Sequence, residues 1–155
     1  MNIAIFSDSY EPQINGVVTQ IRNMACEFLR RGHRVMIVAP AQDSKFRHNK
    51  NSQGSLQEFF LPSISLPTYK DYRITHFFSP RIFGELRKFR PGIVHVHTPF
   101  SVGWLGINCA KKLKVPLVGT YHTLLPEFMA YLPIPFLKHT TLAKSLAWKY
   151  TNFFY

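Results

Sequence analysis

The feature that most limits the possible folds is a regular alternation of short apolar runs with segments of helical periodicity. The run "NIAIFS" (2–7) is followed by "VVTQIRNMACEFLRRGH" (17–33), whose apolar residues recur at helical spacing, and then by "RVMIVAP" (34–40). Gly32 marks the predicted end of the helix. Because the loops are short, the pattern favours the parallel crossover unit, strand to helix to strand.

The last third of the chain repeats this alternation. "GIVHVH" (92–97) is predicted as a strand, "SVGWLGINCAKKLK" (101–114) as a helix, "VPLVGTYHT" (115–123) as a strand and 134–155 as a final helix. Uninterrupted runs of Val, Ile and Leu are typical of strands covered on both faces. The sequence therefore predicts an α/β fold, with a Rossmann-like, mostly parallel sheet between two layers of helices.

The middle of the chain is less regular. Residues 41–55 are polar and basic and predict a solvated loop, whereas 56–67 contains a candidate third strand before prolines interrupt it. A helix is predicted to begin at Ser79-Pro80 and to end at Pro91. With 155 residues and 46% hydrophobic side chains, the chain is long enough for one core, so we predict a single domain over 1–155.

Charge and cysteine content narrow the possible partners and the cell compartment. The formal net charge is +11 and the pI is near 10.0, which favours an acidic partner: nucleic acid, anionic lipid or a phosphorylated small molecule. Cys26 and Cys109 lie far apart in predicted helices and indicate no disulfide framework. No leader pattern and no apolar run of about 20 residues is visible. We therefore expect a cytoplasmic chain, soluble or peripheral on the inner face of the membrane.

Three stretches follow predicted strands, where ligands bind in sheets of this kind. They are "SDSYEPQINGVV" (7–18), "HTPFSVG" (97–103) and "TYHTLLPE" (120–127). In the first, Asn15 and Gly16 predict a backbone free to adopt positive φ, and a helix start where an anion can approach exposed N–H groups. An ordinary turn is the alternative, because Asn-Gly is a common turn pair and no G-x-G-x-x-G is present.

The histidines of the last third form the second candidate group. His95 and His97 are two apart on one strand, and His122 lies near the end of another. Three imidazoles can bind zinc with an open position, but no carboxylate stands beside them to orient the rings. We predict no metal site, a structural role for His95, and substrate contact for the other two because they lie at strand ends.

Four coupled motifs resemble the N-terminal domain of GT-B fold retaining glycosyltransferases. They are "SDSYEPQINGVVTQI", "GHRVMIVAP", "PGIVHVHTPFSVGWLG" and "KKLKVPLVGTYHT", in matching order and spacing from Met1 to about His122. The nearest likeness is to the glycosyltransferase family 4-like enzymes that include bacterial diacylglycerol glucosyltransferases and phosphatidylinositol mannosyltransferases. The resemblance implies sugar transfer from a nucleotide-sugar donor, UDP- or GDP-linked, to a hydroxyl acceptor such as diacylglycerol, without a further cofactor.

The resemblance also implies roles for individual residues. Gly16, with Asn15, would bind the donor diphosphate, and His122 would lie near the reacting sugar as the catalytic residue. The acceptor side would include Tyr10, His97 and Thr120. For Tyr10 and Thr120 the alternative is that they only shape the loops.

The predicted helix after Pro80 carries the last candidate group, Arg81, Arg87, Lys88 and Arg90. These cations could bind anionic lipid headgroups or simply form a solvated helix face. A non-enzymatic basic module for a membrane surface or nucleic acid is the alternative function. Because the basic residues are spread along the chain without a reader motif, we predict no nucleic-acid partner.

The resemblance implies a second domain that this sequence does not contain. In the family the donor site lies mostly in that domain and carries an E-x7-E pair, whereas no two glutamates here have that spacing. The sequence is then an excised domain, a truncated gene product, or one subunit whose missing domain is supplied by another chain. By itself it is predicted to be inactive.

Overall fold

The structure is a computed structural model that describes residues 1–66, 69–122 and 141–154, with only the backbone described for 66, 69–72 and 141–144. Within these residues it has eight strands and four helices. The strands are β1 (Asn2–Phe6), β2 (Arg34–Pro40), β3 (Arg47–Lys50), β4 (Leu56–Leu61), β5 (Ile64–Leu66), β6 (Tyr69–Ile74), β7 (Ile93–Val96) and β8 (Leu117–Gly119). The helices are α1 (Gly16–Arg30), α2 (Pro80–Phe89), α3 (Ser101–Leu113) and α4 (Thr141–Phe154).

Six of the strands form one sheet in the order β3-β4-β2-β1-β7-β8. All neighbours in it are parallel except β3 and β4, which are antiparallel, and β5 and β6 form a separate two-stranded antiparallel sheet. The mostly parallel Rossmann-like sheet predicted from the sequence is therefore confirmed.

Helices cover both faces of the sheet. Alternate residues of β1 point to opposite faces, so neighbouring residues of this strand pack against different helices. Ile5 packs in one core with Ile21 and Ala25 of α1, whereas Phe6 packs in the other with Leu86 of α2 and Leu105 of α3. All six of these side chains are at most 4% exposed.

Close packing of α3 on the sheet depends on Gly106. A Cβ atom added there would lie 2.8 Å from side-chain atoms of Phe6 and Val96. Since contacts that short do not occur between carbon atoms, only glycine lets the helix approach β1 and β7 this closely.

Several predicted boundaries are corrected. The expected loop 41–55 contains β3, whose side chains are all exposed and whose pairing with β4 is through the backbone. A polar four-residue edge strand has no apolar alternation by which sequence could reveal it. The strand predicted at 115–123 is confined to Leu117–Gly119, and part of the helix predicted for 134–155 lies outside the described residues.

The parallel arrangement gives the sheet two functionally different edges. At the carboxyl edge, β1 and β7 end and the N-termini of α1 and α3 begin. At the amino edge, α1, α2 and α3 end and lead into β2, β7 and β8. The chain leaves β1 toward one face and β7 toward the other, so the switch point of the sheet lies between these two strands.

Candidate functional site

Asp8 organises the switch point at the carboxyl edge. Its fully buried carboxylate accepts hydrogen bonds from the Thr98 hydroxyl (2.7 Å) and the Ser101 hydroxyl (2.6 Å). The backbone N–H groups of Val102 (2.7 Å) and Gly103 (3.3 Å) also donate to it. Asp8 thus caps the first turn of α3 from a different strand and ties the ends of β1 and β7 together.

Burial raises the pKa of Asp8, and the four donated hydrogen bonds oppose that rise. The residue at the N-cap position of α3 is Phe100, whose side chain makes no capping bond. The first-turn N–H groups therefore need an acceptor from elsewhere, and a carboxylate at the positive end of the helix dipole supplies it. As a result, the N-terminus of α3 is occupied by the protein's own anion.

The N-terminus of α1 is built differently. Asn15 is the N-cap, and its side-chain oxygen accepts a hydrogen bond from the Val18 N–H at 3.0 Å. The expected positive φ is wrong: Asn15 is extended at φ −156°, and the described glycines with positive φ are Gly32 and Gly54. The Asn side chain makes the turn by capping, so Gly16 is not needed for backbone conformation.

Gly16 instead faces open space. A Cβ atom added there would meet no heavy atom of the described residues within 4 Å. An anion can therefore approach the first turn of α1 without moving any side chain that the structure describes, and the helix dipole favours negative charge there. Of the two helix N-termini at the switch point, the one at α1 is the one open to a ligand.

The three histidines predicted as candidates are brought together beside this edge. The His95 and His97 ring centroids lie 4.1 Å apart, and Nδ1 of His97 lies 2.8 Å from Nε2 of His122. Nε2 of His95 shares a hydrogen bond with the Thr120 hydroxyl oxygen, 2.6 Å away. Across the described residues, no group of three or more His, Cys, Asp or Glu side chains has a geometry suited to a metal ion.

His97 is fully buried, and its Nε2 atom has no hydrogen-bond partner among the described residues. Burial lowers the pKa of His97 to about 3, helped by the neighbouring imidazoles, and burial also lowers the pKa of His95 and of His122. The neutral His97 ring can hold one tautomer of His122 through their shared hydrogen bond. His122 itself is half-buried and therefore reachable by a substrate.

Tyr10, predicted on the acceptor side, packs in the core. It is 4% exposed, and its hydroxyl donates to a Glu58 carboxylate oxygen at 2.8 Å. Burial and Glu58 together raise the pKa of Tyr10 above its ordinary range. Acceptor contact by Tyr10 and Thr120 stays a prediction, and Thr120 lies at the end of β8 beside His95.

The four cations predicted to bind membranes are not one patch. Arg81 is in the first turn of α2, with its guanidinium 3.6 Å from the ring centroid of Phe46. The other three lie at the opposite end of the helix, which is about 15 Å long. They are Arg87, Lys88 and Arg90, and Lys88 pairs with Glu85 at 2.8 Å.

The sequence predicted that chemistry would lie at these strand ends, but it did not single out Asp8, Thr98 and Ser101. A signal was present, because a helix beginning after Phe100 has no capping side chain of its own and an acidic residue follows a neighbouring strand. Their pairing across 90 or more residues depends on the order of the strands.

Comparison with known proteins places the chain in a family. Residues 14–155 match the model described as Glycosyltransferase Family 4. The chain is 34% identical over 153 residues to alpha-monoglucosyldiacylglycerol synthase of Acholeplasma laidlawii, covering 98% of this chain and 37% of that protein. It is 31% identical over 146 residues to the protein of the same name from Streptococcus pneumoniae, covering 94% of this chain and 32% of that protein.

A GDP-mannose-dependent alpha-mannosyltransferase of Mycobacterium tuberculosis is 28% identical over 137 residues, 87% of this chain and 35% of that protein. The chain thus spans about a third of the length of these relatives. In fold it is similar to sucrose-phosphate synthase from Thermosynechococcus elongatus, with a TM-score of 0.57 and 15% identity, over 96% of this chain and 39% of that one. The fold is the Rossmann-like half of a GT-B enzyme, and the chain belongs to glycosyltransferase family 4.

Proposed function

We propose that this chain is the acceptor-side domain of a glycosyltransferase that moves a sugar from a UDP- or GDP-linked donor to a hydroxyl of a membrane lipid such as diacylglycerol. The two relatives named alpha-monoglucosyldiacylglycerol synthase support a lipid acceptor. The proposed reaction involves no cofactor beyond the nucleotide sugar. Family membership argues against the alternative of a non-enzymatic nucleic-acid binder.

One observation carries the donor side of the proposal: the open first turn of α1. Asp8 occupies the N-terminus of α3, whereas at Gly16 an added Cβ would meet nothing within 4 Å. A diphosphate seated there would accept backbone hydrogen bonds and gain from the helix dipole. As the sugar leaves, these fixed donors would stabilise the negative charge that develops on the diphosphate.

Within the proposal, His122 acts on the reacting sugar and His97 positions it. The hydrogen bond between Nδ1 of His97 and Nε2 of His122, with 2.8 Å between the two nitrogens, fixes the orientation of the His122 ring. Because His97 is buried and neutral, it can hold His122 without adding positive charge to the cleft.

The test is a titration of the chain with UDP and GDP, followed by NMR of backbone amides. We expect the largest shifts at Gly16 and Val17, with weak affinity because the second domain would supply further donor contacts. Gly16→Ala should abolish these shifts without loss of stability, since the added methyl meets no atom in the described part of the chain. Asn23→Ala is the control, because Asn23 is exposed on α1 about two turns beyond Gly16. Equal binding by Gly16→Ala would contradict the donor-site proposal.

We also propose that the domain contacts anionic membranes through α2. The described helices include none long and apolar enough to cross a bilayer. Headgroup contacts with Arg81 at one end of α2 and with Arg87, Lys88 and Arg90 at the other would bring a lipid acceptor to the enzyme. Co-sedimentation with neutral and with anionic vesicles tests this, and binding that is equal for both would contradict it.

A further inference from the structure

The amino edge of the sheet collects cations from three distant parts of the sequence. Nine of the chain's 19 lysines and arginines lie where a helix ends and leads into the next strand. They are Arg30, Arg31, Arg34, Arg87, Lys88, Arg90, Lys111, Lys112 and Lys114. The same connections hold two acidic residues, Glu27 and Glu85, which pair with Arg30, Arg31 and Lys88. Positive charge is therefore in excess at this edge.

Part of this charge lines a pocket of about 680 Å³ between the start of β2 and the end of α2. Arg34, Arg87, Lys88 and Arg90 line it together with Asn2, and its lining includes no Asp or Glu. Within the described residues, no salt bridge involves any of the three arginines. Cations that line an open, shallow hollow without carboxylates favour an anionic ligand.

Asn2 removes the main obstacle to an anion at this position. The last carbonyl groups of a helix carry partial negative charge and would repel one. The Asn2 amide donates a hydrogen bond to the Phe89 carbonyl and another, at 3.3 Å, to the Arg90 carbonyl. Two of these carbonyls are therefore already engaged when a ligand arrives.

Arg90 has an unusual backbone for its residue type. It ends α2 in the left-handed region at φ 53°, whereas after α1 the left-handed residue is Gly32 at φ 76°. A left-handed conformation is less favourable for an L-residue other than glycine, because its Cβ atom crowds the backbone. Glycine or asparagine would end the helix with less strain, but Lys114 ends α3 in the same conformation at φ 56°, so this backbone by itself assigns no role to Arg90.

We propose that this pocket binds a phosphate group, held by the guanidinium groups of Arg34, Arg87 and Arg90. Guanidinium suits this ligand because its planar donors match phosphate oxygens in pairs. The pocket is at the opposite edge of the sheet from Gly16 and His122, so it does not depend on the proposed donor site. The pocket shares Arg87, Lys88 and Arg90 with the proposed membrane contact, but it adds Arg34 and leaves out Arg81.

A phosphate group can come from a soluble metabolite or from a lipid headgroup, and two arms of one experiment distinguish them. The first is calorimetric titration of the chain with inorganic phosphate and with glycerol 3-phosphate. The second is co-sedimentation with phosphatidylcholine vesicles that contain phosphatidylglycerol. Saturable binding of either soluble probe identifies a pocket that takes free phosphates, and binding to vesicles alone identifies a headgroup site.

The diagnostic variant is Arg34→Gln with Arg90→Asn, since asparagine keeps the left-handed backbone of position 90 at low cost. We expect it to weaken binding of the probe by about tenfold or more. The matched control is Lys114→Asn, because Lys114 ends α3 at φ 56° on the same edge but does not line the pocket. It should change binding less than about twofold.

Two results would overturn the inference. One is a doubly substituted chain that binds phosphate and vesicles as well as the unsubstituted chain. The other is an equal loss in Lys114→Asn, which would indicate attraction to the whole basic edge. Circular dichroism and thermal unfolding of each variant establish that it is folded. The UDP titration at Gly16 is separate, so each proposal can fail without the other.

Discussion

The two edges of the sheet use polar residues in opposite ways. At the carboxyl edge the polar side chains are buried: Asp8, His97 and Thr98 are at most 6% exposed. The Thr98 hydroxyl donates to Asp8, and His97 shares a hydrogen bond with His122. At the amino edge the charged groups are exposed, and Arg30 and Lys88 keep 72% and 75% of their side-chain surface. The comparison indicates that the carboxyl edge holds fixed geometry, while the amino edge presents charge.

Asp8→Ala should cause the largest loss of stability at the carboxyl edge. It leaves two hydroxyls and two backbone N–H groups without their acceptor in a buried place. We expect a loss of about 3 kcal/mol or more in the free energy of unfolding, measured with urea. Asp43→Ala is the control, because the exposed Asp43 carboxylate accepts a local hydrogen bond from the Lys45 N–H, and its loss should cost less than about 1 kcal/mol. Equal losses in the free energy of unfolding would show that the buried hydrogen bonds of Asp8 do not stabilise the fold more than an exposed local bond does.

Gly103→Ala tests how tightly the carboxyl edge is packed. The added Cβ would lie 1.8 Å from the backbone oxygen of Thr98, which cannot move without disturbing the Asp8 cluster. We expect the free energy of unfolding to fall by about 3 kcal/mol. Gly84→Ala, in open space within α2, should raise it by up to about 1 kcal/mol. A Gly103→Ala protein as stable as the unsubstituted chain would show that the first turn of α3 is not held as described.

Acid should weaken the carboxyl edge through His97. The folded pKa is about 3, below the ordinary value of 6.5, so between these values the unfolded chain takes up a proton that the folded chain does not. Stability conferred by neutral His97 is thus lost as pH falls from about 6.5, by up to about 1.4 kcal/mol per pH unit.

The measurement is the pH dependence of the urea midpoint for the unsubstituted chain and for His97→Gln. The difference between them isolates His97, because Asp8, whose pKa is raised and whose effect has the opposite sign, is present in both. The variant should show a shallower decline below pH 6.5. Parallel curves would mean that His97 is protonated as readily in the fold as outside it.

The smallest expected effect is at the amino edge. Arg90→Asn should raise the free energy of unfolding by up to about 1 kcal/mol, because asparagine tolerates the left-handed region better than arginine. Lys114→Asn should raise the free energy of unfolding by a similar amount, because residue 114 has nearly the same φ angle as residue 90. If Arg90→Asn instead destabilises the chain, Arg90 contributes packing or hydrogen bonds that outweigh its strain. Thermal unfolding of the two variants side by side distinguishes these outcomes.

Much of the fold could be predicted because it depends on local patterns. Apolar alternation predicted β1, β2 and β7, helical periodicity predicted α1, α2 and α3, and the parallel order followed from the short connections. The edge strand β3 was missed because Arg47–Lys50 is polar throughout and is held only by pairing with β4. The candidate histidines were predicted as a group, since strand ends converge at one edge.

The sequence by itself determined the fold class, the family, the excess of positive charge and the strand ends where a site would lie. Only the tertiary structure decided which helix N-terminus is open. Asp8 reaches α3 across more than 90 residues, and Asn15 rather than glycine makes the turn at α1. The structure also places Arg81 at one end of α2, over the ring of Phe46. At the other end, Arg34 lines a pocket with the remaining cations, which are Arg87, Lys88 and Arg90. Such pairings depend on the order of strands in the sheet, which no local pattern encodes.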